Sequence, residues 1–112
     1  MNAILGAAVN YDEHTMRPLM RSIERFVPDA RVVLFGFRGE PFYEPHPHGR
    51  IFNNRYFNFH RWLLANSCEQ VALIDTRDVI FQRDPFALVD DGLHVFEEHY
   101  SITNGTCPYN SV

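Results

Sequence analysis

The chain has 112 residues, with 10 Lys and Arg against 14 Asp and Glu, a formal net charge of −4 and 46% hydrophobic residues. That length holds one domain, residues 1–112, around a single core, and it excludes a large two-lobed enzyme. The apolar content excludes a disordered or collagen-like chain. The scattered, mildly acidic charge excludes a dedicated nucleic-acid or anionic-membrane surface.

Residues 3–9, Ala3-Ile4-Leu5-Gly6-Ala7-Ala8-Val9, form a continuous apolar run of the kind that makes a strand covered on both faces. The run is too short to span a membrane, and Asn10-Tyr11-Asp12-Glu13 follows where a secretion signal would continue. The expectation is therefore a cytoplasmic chain without a membrane span, whose Cys68 and Cys107 are reduced thiols. Met16, Leu19, Met20, Ile23, Phe26 and Val27 then draw one stripe at helical period. Thr15 is the expected N-cap, which places Pro18 in the first turn, and Pro28 ends the helix. Residues 31–36 read as a second buried strand. A crossover helix of this length implies that the two strands are parallel.

The stretch 38–54 contains Gly39, Pro41, Pro45, Pro47 and Gly49 and reads as a long loop. A second helix is expected at about 55–66, with Tyr56, Phe59, His60, Leu63 and Leu64 on its apolar face. His60 on that face reads as a core histidine. Val71-Ala72-Leu73-Ile74 is a third buried strand running into Asp75-Thr76-Arg77-Asp78, and Asp84-Pro85 marks a turn. Leu93-His94-Val95-Phe96 is a candidate fourth strand, and residues 100–112 are polar without period. The alternation predicts an α/β domain, an open and mostly parallel sheet with flanking helices.

Ligands of such sheets sit beyond the carboxyl ends of the strands. After the first strand come Val9, Asn10 and Tyr11. A carboxamide offers donor and acceptor to a base edge, and a phenol ring offers a stacking surface; an ordinary strand-to-helix turn uses the same residues. After the third strand, Asp75 and Asp78 diverge if the strand continues. If the chain turns, residues at this spacing come within ~7 Å and both carboxylates reach one hard cation. The same acids serve equally well as a turn cap and as an ion-pair partner of Arg77 or Arg83. Arg55 and Arg61, at the second helix, suit diphosphate oxygens or a solvated face. His46 and His48 lack an acidic or thiol partner for a metal site, and Glu97-Glu98-His99 reads as the polar end of a strand. There is no dinucleotide or P-loop glycine pattern.

The segment from Val71 to Phe86, VALIDTRDVIFQRDPF, resembles the Asp-x-Asp region of nucleotide-sugar-dependent glycosyltransferases of the GT-A fold. The upstream order of strand, helix, strand and aromatic helix agrees with it. Aligned on Val79-Ile80-Phe81, Asp78 falls at the second acid of the motif and Thr76 at the first, with Asp75 one position early. The resemblance implies a nucleotide diphosphate sugar donor, bound with Mn²⁺ or Mg²⁺ on Asp78 and Asp75. It also implies contacts to the donor from Val9, Asn10, Tyr11, Arg55, Arg61, Thr76 and Arg77, and hexosyl transfer to an acceptor (glycan, protein or small molecule) that the sequence does not identify. Transferases of this fold are considerably longer and take their acceptor site from a later half. The expectation is thus the donor-binding half of a GT-A domain, inactive by itself. The alternative is a non-catalytic α/β binding or interaction module whose acids serve turns. A phosphohydrolase with Asp75 as nucleophile lacks the required acid spacing and position.

Overall fold

The computed structural model describes residues 1–46, 48 and 50–94. Its elements are β1 (Asn2–Ala7), α1 (Glu13–Phe26), β2 (Arg31–Phe35), α2 (Ile51–Ala65), β3 (Gln70–Ile74) and a single 3-10 turn at Pro85–Ala87. The three strands form one parallel sheet in the order β2-β1-β3. β1 is central, paired with β2 from Ala3↔Arg31 to Ala7↔Phe35 and with β3 from Asn2↔Gln70 to Gly6↔Ile74. The α/β class read from the alternation is therefore the observed one.

Strand alternation sends the side chains of β1 to two separate cores. Ala3 and Leu5 join Val33, Phe35, Phe59 and Trp62 beneath α2, whereas Ile4 joins Leu19, Ile23 and Val27 beneath α1. Because β1 is clad on both faces, its buried residues, Ala3, Ile4, Leu5 and Gly6, include no polar side chain. The two crossovers leave β1 and β2 in opposite directions, which is why α1 and α2 lie on opposite faces.

Both helices begin earlier than their apolar stripes indicate. The N-cap of α1 is Asp12, not Thr15: Asp12 Oδ1 accepts the Thr15 backbone N–H at 2.8 Å. Pro18 consequently lies inside the helix, where the His14 carbonyl loses its amide donor. α2 starts at Ile51 and turns inward a face that only partly matches the expected one. Among its described side chains Asn54, Asn58, Phe59 and Trp62 are buried and Leu63 packs against the same core, while Tyr56, His60 and Leu64 are exposed. The cause lies in the preceding loop, whose backbone needs partners where it crosses the helix. Asn58 accepts from the Tyr43 N–H at 2.7 Å and donates to the Tyr43 carbonyl at 2.8 Å, and Asn54 donates to the His46 carbonyl at 3.0 Å. His60 is thus a surface residue, not a core histidine.

Beyond β3 the chain folds back over the α1 face. Val79, Phe81 and Phe86 pack against the Ile4–Leu19–Ile23–Val27 core. Leu93 and His94 lie outside any strand, and the rest of the candidate fourth strand, Glu97-Glu98-His99, the polar tail and Cys107 fall outside the described residues. Cys68 is half-buried. Among the described residues no helix is long and apolar enough to cross a membrane.

Candidate functional site at the carboxyl ends of β1 and β3

In a 2-1-3 parallel order the chain reverses its direction of travel across the sheet between β1 and β3, and the crevice beyond those two strand ends is where open α/β sheets hold ligands. Both polar segments singled out in the sequence emerge there. The two strand ends are joined by Thr76. This residue is 3% exposed, and its hydroxyl donates to the Ala7 carbonyl at 2.7 Å. Thr76 is therefore engaged by the fold and does not present its hydroxyl to solvent.

After β1, Asn10 adopts a left-handed backbone (φ 66°), a conformation that asparagine tolerates better than most residues. It is exposed, and its carboxamide has no partner among the described residues. Val9 is half-buried against Gly36, with its Cγ2 2.7 Å from where a Gly36 side chain would begin. Tyr11 is half-buried beside the Ala8–Met16–Leu34–Phe37 core. Of the three, Asn10 is the exposed one.

After β3, Asp75 is met by Arg55 from the second turn of α2, Arg55 Nη1 donating to Asp75 Oδ1. Arg55 Nη2 donates to the Tyr56 hydroxyl at 3.1 Å, and the guanidinium lies 5.0 Å from the centre of that ring. Burial works against the Arg55 charge, but the hydrogen bonds with Asp75 and Tyr56 outweigh it and push its pKa up. Arg77 and Asp78 are exposed, with no hydrogen bond or ion pair among the described residues. The loop carrying them is anchored by Ser22, a residue that the apolar stripe of α1 does not single out. Its buried hydroxyl donates to the Leu19 carbonyl at 2.7 Å and accepts the Phe81 N–H at 2.9 Å. A serine among apolar helix positions was the available signal.

Arg61 is not part of this constellation. Six residues after Arg55 it points ~120° around the helix, and its guanidinium sits 4.1 Å over the Tyr43 ring. It borders a hollow with Phe35, Glu40, Phe42, Asn58 and Trp62 along the β2 side. A second hollow lies at the amino ends of the strands, and two of the acids that line it are engaged locally. Glu69 is 3.7 Å from the Met1 amine, and Asp84 accepts the Phe86 N–H at 2.9 Å. Among the described residues no three His, Cys, Asp or Glu side chains gather to hold a metal ion.

Beyond the strand ends there are thus an exposed carboxamide (Asn10), a carboxylate without a partner among the described residues (Asp78), and the pair of Asp75 with Arg55 of α2. No family model matches the chain, and no curated protein or solved structure shows significant similarity to it.

Proposed function

We propose that the crevice beyond β1 and β3 binds a nucleotide diphosphate sugar together with Mn²⁺ or Mg²⁺, as the donor-binding part of a GT-A-type glycosyltransferase that passes the sugar to an acceptor. The observation that carries this reading is the Arg55–Asp75 pair at the end of β3, next to β1 in a parallel 2-1-3 sheet, with Asn10 and Asp78 on the segments that follow these two strands. Asn10 is available for the base or ribose, and Arg55 for diphosphate oxygens. Asp78 fits the cation: its carboxylate is exposed and has no partner among the described residues, and a hard cation bridging to a diphosphate takes its other ligands from phosphate and water. When bound, the cation would neutralise charge on the departing diphosphate. Asp75 is less suited, because one of its oxygens accepts from a guanidinium.

The competing reading, a non-catalytic α/β interaction module, draws support from Thr76 and Asp75, both engaged within the fold. Calorimetric titration with nucleoside diphosphates separates the two. The donor reading expects binding that strengthens with Mn²⁺, and loss of the Mn²⁺-dependent part in Asp78→Asn. Absence of heat and of any melting shift in the unaltered chain sinks donor binding. Full Mn²⁺-dependent affinity in Asp78→Asn removes Asp78 as the ligand.

A further inference from the structure

We infer that Asp75 is a positioning residue that holds the Arg55 guanidinium across the end of β3, and that Arg55 is the oxyanion-binding group of the crevice. The identity of the oxyanion as a diphosphate rests on the donor reading above; the roles of the two residues do not.

The geometry divides the pair unevenly. The Arg55 side chain is 22% exposed and that of Asp75 69%, so the guanidinium is largely sunk while the carboxylate stands at the surface. A guanidinium has five N–H donors in a fixed fork. Asp75 Oδ1 and the Tyr56 hydroxyl take one N–H each from Nη1 and Nη2, leaving each of these nitrogens a second N–H, while Arg55 Nε is buried without an acceptor among the described residues. The group is therefore anchored with donors to spare at its Nη nitrogens, which an incoming oxyanion with several acceptor oxygens engages. A carboxylate in direct contact with this cation is a poor place for a second one, since the guanidinium repels a metal at the same oxygens. Three residues on, Asp78 has no such neighbour among the described residues. The two acids of the motif thus separate into an anchor for a cationic side chain and a free carboxylate.

The test uses inorganic pyrophosphate as probe, titrated into the full chain in the presence of a chelator, with melting curves to verify folding of each variant. The unaltered chain is expected to bind pyrophosphate, and Arg55→Ala to weaken it about tenfold or more, Arg55→Lys retaining charge but only part of the affinity. Asp75→Asn is the decisive variant. It removes a negative charge beside an anion site, so charge alone predicts tighter binding; loss of the anchor predicts binding weaker by about threefold or more, with Asp75→Glu restoring it.

The inference is overturned if Asp75→Asn binds metal-free pyrophosphate as tightly as the unaltered chain and loses only the Mn²⁺-dependent increment. It is overturned too if the unaltered chain binds no pyrophosphate without metal, even where Mn²⁺-dependent nucleotide binding persists. Loss of pyrophosphate in Arg55→Ala and Asp75→Asn, in a chain to which nucleoside diphosphates add nothing with Mn²⁺, upholds the inference and defeats the donor reading alone.

Discussion

Thr76 shows how closely a residue at the site can be tied to the packing behind it. Its methyl group occupies the space that a side chain at Gly6 would need: a β-carbon there would lie 2.5 Å from Thr76 Cγ2 and 3.3 Å from the Ile74 carbonyl oxygen. Its hydroxyl meanwhile satisfies the Ala7 carbonyl where β1 ends. Thr76→Val keeps the shape and removes that bond, so the loss expected in denaturant unfolding is about 1 kcal/mol. Gly6→Ala forces β1 and β3 apart and is expected to cost about 1–3 kcal/mol, more than the valine change, with both seen as lower denaturant midpoints at unaltered slope. Equal stability of Gly6→Ala and the unaltered chain would contradict this close approach. Gly36 is held by a different constraint, a positive φ of 85° with Val9 packed against it.

At the level of elements, the helices carry the clearest departures from pattern. α1 shows its apolar stripe, yet Asp12 caps it three residues before Thr15. That shift places Pro18 where a helix interior pays for it in one lost hydrogen bond and a ring facing the previous turn. Pro18 is exposed, so no packing is lost on its replacement. Pro18→Ala is expected to raise stability by roughly 1–3 kcal/mol, measured as a higher unfolding midpoint. α2 departs in rotation. Its sequence offers Tyr56, Phe59, His60, Leu63 and Leu64 as one face; Phe59 and Leu63 do join the core, but Tyr56, His60 and Leu64 are exposed and the helix buries Asn54 and Asn58, whose amides bind the loop that precedes it. The same rotation carries Arg55 to Asp75 and leaves Arg61 over Tyr43.

Across the whole molecule, the start of α1 is tied to the loop after β2 by a forked ion pair. Arg38 donates from Nε to Glu13 Oε1 at 2.6 Å and from Nη2 to Oε2 at 2.8 Å. The Arg38 hydrogen bond holds the Glu13 carboxyl below its usual pKa, and the Thr15 backbone N–H does the same for Asp12. Both acids therefore bind protons less readily folded than unfolded. Their stabilising contribution is present above the ordinary carboxylate range and is lost as pH falls through the depressed values. The melting temperature is expected to hold from about pH 7 to about pH 5 and to fall below about pH 4. Glu13→Gln should melt lower than the unaltered chain at about pH 7 and converge with it in strong acid. A gap between the two that widens on acidification would refute the linkage.

The existence, type and order of β1, α1, β2, α2 and β3 were legible in the chain itself. Hydrophobic period is a local property, and continuous apolar runs announce strands covered on both faces. Helix ends were less legible because a cap depends on which side chain reaches a free amide, and Asp12 and Thr15 are both capable residues. The strand ends alone assign the candidate site to the neighbourhood of Asn10 and Asp75. The central position of β1, the bond from Thr76 back to Ala7, the clasp of Tyr43 by Asn58 and the pairing of Arg55 with Asp75 link residues far apart in the chain. Such partnerships arise from strand order, register and helix rotation, which no local pattern encodes, and tertiary packing alone set them.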